Sequence, residues 1–281
     1  MKKSIKTVGT MVLAFVLAVT SLPTQNVKAA DIGTYTLSEL GANRKYDVTG
    51  DGVVDAVQFK KLDADSNGYN GFQVMINGNT ALHVKNVYYH SLNPVFVQTK
   101  GHAYFFICAS AESDYNTFSK IYEYVDGKLK QRMNVKHVVE KIFNHNSPRI
   151  CSVKDRTFKL KVLGQSDMLA ATKATFNLKV TSTGKLSIVN KTVKVQYSKD
   201  PHYRYENGYG TRYLVAQKKM QAYQKSTGTK KAFIIKKGTK LKISKVSIRG
   251  KKARFYCVTS SGKKGWLVSQ FNVFEGLIYA G

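Results

Sequence analysis

Apolar residues along this chain recur at every second position in short runs, and turn residues close each run. Phe72-Gln73-Val74-Met75-Ile76 stops at Asn77-Gly78, and Thr80 to Val84 follows. Ser119 to Val125, Asp126-Gly127 and Lys128 to Met133 repeat the arrangement, as do Ala174 to Val180, Ser182-Thr183-Gly184 and Lys185 to Val189. Alternation at period two places one side-chain set on each face of a strand. Asn-Gly and Asp-Gly accept the positive φ that a two-residue hairpin turn demands, and such a turn joins only antiparallel neighbours. Phe158, Leu160 and Val162 alternate with Lys159 and Lys161, as a strand with one buried and one solvated face requires. One segment departs from period two. Val135, Val138, Val139, Ile142 and Phe143 lie at helical spacing between Asn134 and His145, which predicts one amphipathic helix of about three turns covering a sheet. The expected fold class is therefore all-β, with an N-terminal antiparallel β domain that carries one helix.

With 43% hydrophobic and 11% aromatic residues, the chain has enough apolar surface for packed cores and is not a disordered polymer. Its 3 cysteines, Cys108, Cys151 and Cys257, are too few and of the wrong parity for a disulfide scaffold. The formal net charge of +28 calls for a polyanionic partner or surface. The N-terminus narrows the choice. Lys2, Lys3 and Lys6 precede the apolar run Met11 to Val19, and Val27-Lys28-Ala29 supplies small residues for cleavage after Ala29 or Ala30. Residues 1–30 are expected to be a signal peptide, so the protein is expected to be secreted, extracellular or wall-associated, with no membrane span after cleavage. Outside a cell, peptidoglycan and anionic wall polymers are better partners than chromosomal nucleic acid.

Residues 31–210 carry 24 basic and 16 acidic side chains, whereas residues 211–281 carry 17 basic and only Glu275. This break in charge predicts two domains, 31–205 and 213–281, joined by a linker at 206–212. Around it, Lys199 to Tyr213 contains Pro201, Gly208, Gly210 and four tyrosines (Tyr203, Tyr205, Tyr209 and Tyr213) without clear periodicity. Tyrosines so placed either pack the linker against a domain or offer a carbohydrate-stacking patch.

The run Asp47-Val48-Thr49-Gly50-Asp51-Gly52-Val53-Val54-Asp55 places side-chain oxygens at loop positions 1, 3, 5 and 9. Gly52 sits where the chain turns sharply, and the Val53 carbonyl occupies position 7. This is the ligand order that Ca²⁺ takes, in the weak range of extracellular modules. The candidate metal ligands are Asp47, Thr49, Asp51, Val53 and Asp55, with Asp63 and Asp65 nearby. Thr49 replaces the usual Asp or Asn, position 12 is Gln58, and the residues after the loop alternate like a strand, so the segment is no helix–loop–helix. The other reading is a glycine-rich turn whose Asp side chains cap their own backbone. The run Lys45 to Phe59 resembles the Asp-rich turn-and-strand unit of the FG-GAP/VCBS group of secreted β proteins, and Ala103 to Leu129 is of the same style. The resemblance implies β character and the possible metal loop. A complete propeller would need more chain than is present.

In the C-terminal segment, Phe233-Ile234-Ile235-Lys236-Lys237-Gly238-Thr239-Lys240-Leu241-Lys242-Ile243 precedes Arg254-Phe255-Tyr256-Cys257-Val258 and then Gly262-Lys263-Lys264-Gly265-Trp266-Leu267. From Met220 to Phe274 this is similar to the bacterial SH3-like (SH3b) domain family. The family's usual first strand is replaced by Met220-Gln221-Ala222-Tyr223, which leaves its ligand contacts open. The resemblance implies a small barrel that tethers secreted proteins to the cell wall through peptidoglycan peptides. Leu241, Ile243, Phe255 and Cys257 share one strand phase, and Lys240, Lys242, Arg254 and Tyr256 the other. Tyr223, Tyr256 and Trp266 are the candidate ligand-binding aromatics. Packing at the barrel edge is the competing role for Trp266.

Signals for catalysis are weak. Cys108 lies in the apolar run Phe105-Phe106-Ile107-Cys108 without an adjacent His to activate it, and His102 faces a Lys-Gly turn. There is no HExxH, GxSxG or P-loop pattern. The expected function is a secreted, non-enzymatic envelope protein that binds the cell wall through a basic SH3-like domain. The alternative is a wall hydrolase or hydrolase inhibitor with its site in the N-terminal domain.

Overall fold

The computed structural model describes residues 31–111, 115–198, 208–249, 251–277 and 279. The expected signal segment, residues 206–207 of the expected linker, and Tyr203 and Tyr205 beside it lie outside these.

The fold is nearly all β, and every strand pair described is antiparallel. In chain order the first strands are β1 (Gly33–Thr36), β2 (Ala42–Tyr46), β3 (Asp55–Lys61), β4 (Tyr69–Ile76) and β5 (Asn79–Tyr89). β6 (Ser91–Thr99), β7 (His102–Ser110), β8 (Asn116–Val125) and β9 (Lys128–Asn134) follow. Strands β2 to β5 form one meander, and β6 to β9 form a second, with β1 added at the edge beside β6. The hairpins sit where turn chemistry predicts them. Asn77-Gly78 has φ of 50° and 80°, Asp126-Gly127 has 53° and 76°, and the registers close at Ile76↔Asn79 and Val125↔Lys128.

The helix is shorter than its periodicity predicts. α1 covers Val135–Val139, with the Asn134 side chain accepting from the His137 N–H at 3.1 Å. Its β-branched run is a poor helix former. The expected apolar face is nevertheless used: Val135, Val139, Ile142 and Phe143 are all buried, Ile142 and Phe143 as a non-helical turn whose N–H groups still bond to the Val139 carbonyl. The Asn144 N–H then bonds to Gln165 and draws the chain into the next sheet.

That sheet begins with β10 (His145–Lys154), β11 (Thr157–Ser166), β12 (Ala170–Val180), β13 (Leu186–Ile188) and β14 (Thr192–Ser198). It continues through the short β15 (Tyr209–Gly210) and β16 (Leu214–Val215), then β17 (Met220–Tyr223), β18 (Lys231–Ile235), β19 (Lys240–Ser247), β20 (Arg254–Thr259) and β21 (Lys264–Val268). Its order is β10-β11-β12-β14-β19-β20-β21-β17-β18, with β13 on β12, β15 on β14 and β16 on β19. The segments on either side of the charge break therefore meet as strands: Thr192↔Ser247, Val193↔Val246 and Lys194↔Lys245 pair β14 with β19. Part of the expected linker is itself sheet, with β15 pairing β14 at Tyr197↔Gly210. The buried Tyr197 hydroxyl fastens it by donating to the Arg212 carbonyl at 2.5 Å and accepting from the Arg212 N–H at 3.1 Å. In the C-terminal part β18 and β19 are not paired among the described residues, so strand pairing does not close the expected barrel there.

Two cores hold the layers together. Phe59, Phe72, Val74 and Ile76 of the first sheet meet Phe105, Ile107 and Ala109 of β7 in one. Tyr104, Phe106 and Cys108, on the opposite face of β7, belong to the other, which also holds Phe158, Phe176, Val195, Tyr197, Leu241, Ile243 and Phe255. The middle sheet is thus covered on both faces, which explains why β7 is a continuous apolar run.

A cationic and aromatic face on the C-terminal strands

Leu241, Ile243, Phe255 and Cys257 are fully buried, so the opposite phase of β19, β20 and β21 is turned outward. Strand register then aligns the three aromatic candidates. Tyr223 on β17 pairs with Trp266 on β21, Trp266 with Tyr256 on β20, and Tyr256 with Lys245 on β19. The Tyr256 and Trp266 rings lie 5.2 Å apart at 57°. Gly265 beside Trp266 is closely packed: a Cβ there would sit 3.0 Å from Cβ of Ala222, 3.1 Å from the Phe233 ring and 3.3 Å from the Tyr223 carbonyl oxygen. Trp266 is half-buried, so packing and an available ring surface coexist at one residue.

Two cations stand over these rings: Arg254, expected on the outward phase, and Lys245, which the sequence pattern did not single out. The Arg254 guanidinium lies 4.6 Å from the Tyr223 ring centroid and Lys245 Nζ lies 5.7 Å from that of Tyr256. Arg254 is held in place by donating to the carbonyls of Lys225 at 3.0 Å and Gly228 at 2.5 Å. Beside them, Lys242 Nζ stands 4.5 Å from the Tyr213 ring. The alternation of Lys, Arg and Tyr was legible in the sequence, but their alignment in one row depends on cross-strand register.

In the acidic loop, the carboxylates cap the backbone. Asp47 accepts from the N–H groups of Gly50 at 2.6 Å and Gly52 at 2.8 Å. Asp55 accepts from Val48 at 2.6 Å and Thr49 at 2.7 Å, and from Asn77 Nδ2 at 2.5 Å. Asp51 is exposed and accepts from the Val53 N–H at 2.8 Å, Thr49 Oγ1 donates to Asp55 at 3.3 Å, and the Val53 side chain is solvent-exposed. Asp65 caps its own turn through Asn67 and Gly68, both at 2.7 Å. Among the described residues, no group of three or more His, Cys, Asp or Glu side chains converges as metal ligands would.

Neither buried thiol has the surroundings of a nucleophile. Burial pushes the Cys108 thiol well above its ordinary range, and its sulfur faces the Pro148 carbonyl at 3.8 Å. Burial likewise pushes Cys257 up to about 11. His102 is engaged elsewhere: its Nδ1 is 2.5 Å from Glu123, whose other oxygen takes Arg132 at 2.6 Å. Glu123 is only 5% exposed, and the Gly184 backbone lies against its carboxylate, leaving no room for a Cβ. Among the described residues, no helix is long and apolar enough to cross a membrane. Comparison of the chain with protein-family models, curated proteins and solved structures finds no match.

Proposed function

We propose that this chain is an exported, non-enzymatic envelope protein that binds the cell wall, taking peptidoglycan peptides and anionic wall polymers on the outward face of its C-terminal strands. The observation that carries the reading is the register row Lys245–Tyr256–Trp266–Tyr223 with Arg254 held against Tyr223, in which aromatic surface and cations lie side by side over a fully buried core. Cations draw in a polyanionic wall from a distance, and half-buried rings add contact that salt does not screen. The surrounding 71 residues, with Glu275 as their one acidic side chain, keep that potential of one sign.

The test is sedimentation of the whole chain with purified walls, before and after removal of their anionic polymers, at low salt and at about 1 M salt, where the Debye length falls to about 3 Å. Wild type is expected to sediment with both preparations and to keep part of its binding to stripped walls at high salt. Trp266→Ala is expected to lose that salt-resistant part, with circular dichroism confirming that it folds. Complete loss of wild-type binding with salt would remove the aromatic half of the proposal. Clearing of wall turbidity by the protein would replace binding with hydrolysis.

A further inference from the structure

The strand pairing that joins the two halves of the chain also builds a groove. It has a volume of about 730 Å³ and lies across β11, β12, β14 and β19, on the face opposite the core. Lys159, Lys173, Lys194 and Lys245 line it, and Asn177 and Thr192 are among the neutral polar side chains between them. No Asp, Glu or aromatic residue is among the described residues that line it.

Among the described residues, none of these lysines forms an ion pair. Lys194 and Lys245 are direct cross-strand partners, a like-charge placement that destabilises an antiparallel pair. Lys173 faces Gln196 one strand away, and its Nζ is 5.2 Å from the Tyr209 ring centroid. Burial first, and the charge of Lys161 second, lower the pKa of Lys173 from its ordinary value. The repulsion between the groove's lysines is therefore of one sign. A bound anion would relieve it.

The character of the lining selects among anions. Lysine presents a compact charge on a flexible stem, in contrast to the planar fork with which arginine grips one carboxylate or phosphate in two bonds. Several such charges in a row suit a repeating anion whose units are small. The lining itself holds no aromatic side chain, and the neighbouring Tyr209 and Tyr256 rings are engaged by Lys173 and Lys245, which disfavours nucleobases, since these bind single-strand channels by stacking. The intervening hydroxyl and amide groups suit the free hydroxyls of a polyol. We propose that this groove is a binding site for a phosphodiester-linked polyol chain, an inference that rests on the wall-binding reading above and extends the site into the N-terminal half of the molecule.

The experiment measures binding of the whole chain to synthetic poly(glycerol phosphate), by calorimetry across a salt series and by thermal melts. The double variant Lys173→Gln/Lys194→Gln is compared with Lys236→Gln/Lys237→Gln, which removes two exposed lysines outside the groove. The groove variant is expected to bind at least about tenfold more weakly at low salt, with the salt slope reduced by about one per lysine removed. Its melting point without ligand should equal or exceed that of wild type, because like charges have been removed, while the rise in melting point on adding ligand should largely vanish. The control should retain most of the affinity and the ligand-induced rise. Equal losses from both double variants, or none from the groove variant, would overturn the assignment. Wall sedimentation of the same proteins separates the two levels: wild type failing to bind any wall sinks the function proposed above, whereas a groove variant that binds poly(glycerol phosphate) like wild type sinks only the groove.

Discussion

Asp55 shows how much of the acidic loop's order rests on one side chain. It is 1% exposed and accepts two backbone N–H groups as well as Asn77 Nδ2. Asp55→Ala would leave those donors without their acceptor; the Val48 N–H is buried and costs about 1–3 kcal/mol, the two part-buried donors cost less, and the expected total is about 2–4 kcal/mol, measured by urea unfolding. Asp47 and Asp51 keep lone pairs beyond those the N–H groups use, so capping and cation binding are compatible there, whereas Asp55 already accepts four bonds and would have to exchange one for a cation. The proposal that the loop takes Ca²⁺ predicts that melts in millimolar Ca²⁺ and in chelator separate for wild type and coincide for Asp51→Ala. Coincident wild-type melts would leave a self-capped turn. The cysteines give a second measurement at this scale. A thiol reagent at neutral pH should label the exposed Cys151 at once and reach Cys108 and Cys257 only on unfolding. Alkali should destabilise the fold for the same reason. Burial raises Cys257 from 9.0 to about 11, so its neutral form stabilises the folded state fully below pH 9, and that contribution disappears as the pH rises to about 11. The raised hydroxyls of Tyr104, Tyr122 and Tyr197 act in the same direction above pH 10.

Among the elements, β7 has the least tolerance. Its alternate side chains enter different cores, Phe105 the one beneath the first sheet and Phe106 the one shared with the C-terminal strands. Either Phe→Ala change is expected to cost about 3–5 kcal/mol, because a large cavity opens between sheets that cannot collapse independently. A value below about 1 kcal/mol at either position would show that the layers are not packed through β7 as described. Helix α1 illustrates the opposite case. Its apolar spacing identified the residues that enter the core but not the length of the helix, because burial alone rewards that spacing and a bonded turn at Ile142 and Phe143 achieves the same burial.

Across the whole molecule, the seam between β14 and β19 has the widest consequences. Strand pairing and a common core cross the point where charge composition changes, so unfolding of either half exposes the other. Trp266 is the only tryptophan and reports on the C-terminal strands, while far-UV circular dichroism reports on the entire fold. The two signals should follow one urea transition. Residues 213–281 expressed alone would keep β19 paired with β20 and β16 but without β14, and would present Leu241, Ile243 and Val246 to a reduced core. The fragment is expected to melt well below the whole chain, and a fragment melting cooperatively at the same temperature would show that the seam adds nothing.

The antiparallel all-β class and its principal hairpins were determined locally, since a period of two and residues that accept positive φ are properties of neighbours in the chain. The same is true of the outward and inward phases of β11, β19 and β20, and hence of the concentration of charge around Tyr256 and Trp266. Where that charge would be focused was decided only by tertiary structure. Lys173 and Lys245 are far apart in sequence, and nothing in either segment specifies that β14 pairs with β19; the pairing depends on apolar side chains from both finding one core. The groove, its like-charged lysine pair and the continuity between the halves all follow from that long-range packing, which no local pattern encodes.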